Sequence, residues 1–116
     1  MGLFFNTKNS ERMKFVSEVA SNFALNSKIT SLWNSSKFEV KIPTRTFSSR
    51  EQFVKKATNL LNERGYIIRP HGAGLQGDKN NIYISFVYPP SDADNKEFCY
   101  IDVIWTEDYK KYAKQV

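Results

Sequence analysis

The sequence predicts a single α+β domain, 1–116, with a three- or four-stranded, mainly antiparallel sheet and helices packed on one face, in the order α-β-α-β-β-β-α. Three observations carry this expectation. Ser48 to Arg64 has the apolar period of a helix and is closed by Gly65. Two stretches, Lys37 to Ile42 and Phe98 to Trp105, alternate with the period of a strand. The chain's 116 residues, 41% hydrophobic and 15% aromatic, suffice for one core but not for two.

In chain order, the first helix is expected after Asn9 or Ser10, either of which can cap it. Phe15, Val16, Val19, Ala20, Phe23 and Ala24 then recur at helical spacing. The run N-S-K-I-T-S-L-W-N-S-S, Asn26 to Ser36, is rich in cap and turn residues. It reads as a break with a short helical turn carrying Ile29, Leu32 and Trp33 into the core. From Lys37 to Ile42, Phe38, Val40 and Ile42 face one way and Lys37, Glu39 and Lys41 the other, a half-buried strand closed by Pro43. The second helix has Ser48 and Glu51 at capping-box spacing and buries Phe53, Ala57, Leu60 and Leu61, while Lys55 and Lys56 face solvent.

Tyr66 to Arg69 reads as a short strand. Arg69 to Asp78, holding Gly72, Gly74 and Gly77 and the chain's one histidine, His71, reads first as a long hairpin loop. Asn81 to Tyr88 alternates as a central strand and stops at Pro89-Pro90. In the last strand Asp102 shares a side with Phe98, Tyr100 and Ile104, whereas Cys99, Ile101, Val103 and Trp105 line the other. Such a carboxylate is either a rim aspartate bonded to a nearby donor or an acid with a shifted pKa. Thr106 is expected to cap a terminal helix whose apolar side is Tyr109, Tyr112, Ala113 and Val116 and whose wet side is Lys110, Lys111 and Lys114.

The net charge of +5 is uneven: residues 1–58 carry ten Lys/Arg against four acids, and residues 59–116 seven against eight. A basic half suits an acidic partner. The expected function is therefore that of a small basic, non-enzymatic binding protein contacting nucleic acid through Lys37, Lys41, Arg45, Arg50, Lys55, Lys56, Arg69 and His71. The alternative partner is a host protein, bound by an inhibitor or accessory factor of the kind that phages and mobile elements encode. A weaker alternative places a nucleotide or phosphate at Gly72, Gly74 and Gly77, where glycines free backbone N–H groups. That segment lacks the Gly-Lys-Ser/Thr ending of a P-loop and precedes a strand, not a helix.

With one histidine, one cysteine and no clustered carboxylates, the usual nucleophile–base pairs and zinc sets do not assemble, so no catalytic residue, metal or cofactor is expected. His71 and Asp102 remain the one acid–base pair for the structure to test. Asp92 and Asp94 resemble the start of a calcium loop, but the required glycine is missing. A lone cysteine, Cys99, fits a reducing, cytoplasmic setting, and no apolar run approaches a membrane span.

Two resemblances touch these stretches. S-S-R-E (Ser48 to Glu51) and R-G-Y-I-I-R-P-H-G-A-G-L-Q-G-D (Arg64 to Asp78) are faintly similar to the nucleotide-binding stretch of the lysine-decarboxylase-like and DNA-processing-A-like family, but His71 replaces its second glycine and the chain is shorter than a full Rossmann domain. From Ser48 onward, helix, three strands and helix resemble the order of the double-stranded-RNA-binding domain. K-K-Y-A-K-Q (Lys110 to Gln115) is similar to its last helix, and Pro70-His71 falls in the loop that enters a minor groove. The glycines that domain carries before its lysine helix are absent, and the N-terminal helix and strand are extra. It serves as an architectural analogy.

Overall fold

A computed structural model describes residues 2–72 and 74–115 of the chain. The elements are α1 (Gly2–Phe23), β1 (Lys28–Leu32), β2 (Lys37–Pro43), a 3-10 turn (Thr44–Thr46), α2 (Arg50–Glu63), β3 (Ile67–His71), β4 (Gly74–Lys79), β5 (Ile82–Val87), β6 (Phe98–Trp105) and α3 (Thr106–Gln115). The six strands form one antiparallel sheet in the order β1-β2-β6-β5-β4-β3. The α+β class and the antiparallel sheet stand, but the sheet has six strands rather than three or four.

Both additional strands come from segments whose turn residues mask their pairing. Asn26 to Ser36 is not a helical turn. Lys28–Leu32 pairs with β2, and only Trp33 to Ser36 form the connection. Ile29 packs against the core, Leu32 is half-buried and Trp33 is exposed. Likewise, Arg69 to Asp78 is a hairpin in itself: His71 pairs with Gly74, so β3 and β4 join in two residues, and Gly72 takes a left-handed φ of +49°. Four strands therefore follow α2, one more than in the RNA-binding analogy, and Pro70-His71 lie in β3 and not in a loop.

The strand pattern divides the sheet into two unlike faces. Phe38, Val40 and Ile42 of β2, Cys99, Ile101 and Val103 of β6, Ile84 and Phe86 of β5 and Leu75 of β4 are buried on one of them. Both long helices lie on this face. Val16, Val19, Ala20 and Phe23 of α1 and Phe53, Ala57, Leu60 and Leu61 of α2 complete the core. Phe23 meets Phe86 at 5.2 Å between ring centroids and Phe53 edge-on at the same distance, and Phe47 packs on Phe23 and Phe53. Gly77 belongs to this packing: a Cβ there would lie 2.6 Å from a Leu61 methyl, so the glycine lets α2 sit directly on β4.

The helix ends correct two expectations. The α2 cap is Ser49, one residue later than predicted: its side chain accepts from the Gln52 N–H, and Gln52 reaches back to accept from the Ser48 N–H at 2.6 Å. At the other end Gly65, φ +77°, and Tyr66 donate to Asn62 and Leu61 respectively, closing α2 with a Schellman turn. α1 is already helical at Gly2, so neither Asn9 nor Ser10 caps it. The hydroxyl of Thr106 donates to the Asn81 carbonyl at 3.1 Å, tying α3 to the β4–β5 turn. The side chains of Tyr112, Ala113, Lys114 and Val116 lie outside the described residues.

α3 is held against α1 by ionic contacts. Asp108 accepts from Arg12 at 2.6 Å and pairs with Lys8 at 2.8 Å; these bonds hold its carboxyl below the usual carboxylate range. Arg12, only 9% exposed, also donates to the Ser35 carbonyl at 2.9 Å and lies over the Trp105 ring.

Candidate functional site

The opposite face of the sheet carries the chemistry. Because side chains alternate and the register is continuous, its composition follows from strand pairing alone. One transverse row runs Lys28, Lys41, Tyr100, Val87, Gly74, His71. The next runs Thr30, Glu39, Asp102, Ser85, Gln76, Arg69, and a third runs Leu32, Lys37, Ile104, Tyr83, Asp78, Ile67. Phe98 lies beyond the first row, opposite Pro43.

Four of the eight residues nominated from sequence, Lys37, Lys41, Arg69 and His71, thus share this face. The other four do not. Lys55 and Lys56 belong to α2, on the far side of the sheet from Lys37 and Lys41. Lys56 instead donates to the Phe23 carbonyl at 2.8 Å, a cation on the last turn of α1. Arg50 stands at the start of α2, donating to the Pro89 carbonyl at 3.0 Å with its guanidinium over Tyr88. Arg45 is exposed in the 3-10 turn.

Gly74 and Gly77 sit inside β4, between two hydrogen-bonded neighbours, so the free backbone N–H groups that a phosphate cradle requires are not supplied by these two glycines. A Cβ at Gly74 would fall 1.7 Å from the Phe86 carbonyl oxygen; closeness of strands is what the glycine provides.

At the β1–β2–β6 end of the face, cations and aromatic rings interleave. Lys41 places its ammonium 4.0 Å from the Phe98 ring centroid, with Tyr100 directly across the strand pair. Lys37 places its own 5.6 Å from the Trp33 ring. Lys28 and Lys41 stand directly opposite each other, an arrangement that costs stability, because like charges in register repel.

Toward the centre, Glu39 and Asp102 form a second like-charged pair in register. One oxygen of Asp102 is buried without a hydrogen-bond partner. Burial, reinforced by Glu39, holds the Asp102 carboxyl above the usual range, with Lys37 and His71 pulling the other way. Asp102 is therefore not a rim aspartate satisfied at both oxygens. Toward β3 the charges are matched: Tyr83 donates to Gln76 at 3.1 Å, Gln76 to Asp78 at 3.3 Å, and Arg69 lies 3.8 Å from Asp78. The His71 ring meets the Tyr83 ring edge-on at 6.4 Å, and β4 and β5 separate His71's strand from that of Asp102, so these two residues do not form a hydrogen-bonded dyad.

Sequence reasoning missed Lys28, Tyr100, Phe98 and Trp33 as site residues. The alternation of β6 already placed Phe98 and Tyr100 beside Asp102. What it lacked was the β2–β6 register that sets them against Lys41 and Pro43. Lys28 was invisible because β1 was not read as a strand.

Among the described residues, no His/Cys/Asp/Glu group is arranged to hold a metal ion, and no helix is long and apolar enough to cross a membrane. Cys99 is buried, its thiol raised by that burial and directed to the Thr44 hydroxyl at 3.7 Å. No protein-family model matches the chain, and neither a curated protein nor a solved structure does.

Proposed function

We propose that this protein is a binding module that holds single-stranded nucleic acid on the helix-free face of its sheet, at the β1–β2–β6 end. The observation that carries the reading is the in-register pair Lys28–Lys41 beside Phe98 and Tyr100, with Lys37 in the neighbouring row. Like charges in register cost stability, and a phosphate between the two lysines turns that repulsion into attraction. Rings interleaved with cations are the means by which open sheets grip unpaired bases without reading their sequence. Glu39 and Asp102, paired with each other, lie one row away from this cluster, and Asp78 is engaged with Arg69 toward β3. The positive field of the face is therefore concentrated where the rings are. A lone buried thiol fits a cytoplasmic setting.

A second reading, a protein partner adding a strand to the sheet, rests on the edge strand β3, where Ile67 is 65% exposed. Titration of a labelled oligothymidylate against rising salt separates the two. Three lysine–phosphate contacts give a slope of log K against log salt of about −2, and the double substitution Lys28→Glu/Lys41→Glu reduces that slope by about 1.4. Salt-independent binding, or none at low salt, would remove the nucleic-acid reading and leave the strand edge.

A further inference from the structure

The β1–β2 connection holds three successive non-glycine residues in the left-handed region: Trp33, Asn34 and Ser35, with φ of 49°, 53° and 62°. Each carries a steric cost that glycine would avoid, and for a tryptophan it is unusual. A hairpin that had only to reverse direction would do so with Asn-Gly or a similar pair. Here the strained turn is fixed from several sides. Arg12 donates to the Ser35 carbonyl at 2.9 Å, and the Ser36 hydroxyl donates to the Trp33 carbonyl at 2.7 Å. The Ser31 and Ser35 hydroxyls meet at 3.0 Å, and the Trp105 N–H donates to the Ser36 carbonyl at 2.8 Å.

The product of this constraint is an indole held outward. Trp33 is 49% exposed, its ring centroid 5.0 Å from that of Tyr109 on α3, with the Lys37 ammonium 5.6 Å away. Strain kept in place by surrounding bonds is characteristic of sites where geometry serves binding. A large, rigid, half-exposed ring beside a cation that points to the same face as Lys41 has the chemistry of a base-stacking platform.

We infer that Trp33, backed by Tyr109, stacks an unpaired nucleobase, and that Lys37 meets the adjoining phosphate. This inference rests on the sheet-face reading above and extends it round the β1–β2 corner. Arg12 acts only as a positioning residue, through the turn. Because every base presents a π-face, the platform is expected to be tolerant of sequence.

The test uses the full chain and a short oligothymidylate, with anisotropy for affinity and intrinsic fluorescence for contact. Binding is expected to quench tryptophan emission, and the quench to be lost in Trp33→Tyr while affinity is largely kept. Trp33→Asn, which suits a left-handed backbone, is expected to bind about 5- to 150-fold more weakly with the salt slope unchanged and the thermal midpoint equal or higher. Salt-dependent binding with no quench and no loss of affinity in Trp33→Asn would overturn the platform while leaving the sheet face in place. Absence of binding by the wild-type chain at low salt would remove both.

Discussion

Asp102 illustrates how one residue's surroundings set its chemistry. Its strand neighbour Glu39 repels it, one of its oxygens is buried and unpartnered, and Lys37 and His71 compensate only in part. The folded carboxyl therefore binds its proton more tightly than the unfolded one. Stability from this group is fully present below the ordinary carboxylate pKa and is lost as pH rises through the raised, folded value. Asp102→Asn keeps the shape and removes the charge. Thermal melts across pH are expected to show the variant with the higher midpoint at pH 7 and no advantage below the ordinary aspartate pKa. A variant less stable at neutral pH would contradict this account of Asp102.

At the scale of elements, two glycines and two tight turns decide the sheet. Gly77 sets the distance between α2 and β4: the Leu61 methyls, 2.6 and 3.0 Å from an added Cβ, and Tyr66, at 3.1 Å, leave no space for it. Gly77→Ala is expected to destabilise by about 1–3 kcal/mol, read from denaturant unfolding, because an overpacked core must shift. The long helices and the β2, β3, β5 and β6 strands were legible in sequence, most plainly where the apolar period is uninterrupted, over Phe53 to Leu61, Phe38 to Ile42 and Cys99 to Trp105. β1 and β4 were not. Lys28 to Leu32 has only Ile29 against the core, and its serines and threonine read as turn chemistry. In Gly74–Lys79 the core positions are Leu75 and Gly77, so the residue that permits close packing was taken for a loop glycine. Four of the eight nominated residues reached the open face. The period of β2 fixed Lys37 and Lys41, but no local pattern showed which side of the sheet α2 would cover.

Across the whole molecule the two faces divide the work. Phe23, Phe47, Phe53 and Phe86 supply a core dense enough to hold both long helices on one side, and among the described residues no helical layer covers the other side. Of the ten Lys/Arg in the first half of the chain, three lie on α1, three on the β1–β2 hairpin, three on α2 and one in the 3-10 turn, and on the hairpin Lys37 and Lys41 stand beside rings. The proposed nucleic-acid interface is the hairpin's face, and not α2. Amide and side-chain NMR shifts recorded while titrating oligothymidylate into the labelled protein test it most directly. The predicted result is perturbation confined to Lys28, Lys37, Lys41, Phe98, Tyr100 and Trp33 and their strand neighbours, fading as salt is raised. Perturbation centred on Lys55 and the exposed side of α2, with β2 and β6 unmoved, would contradict it.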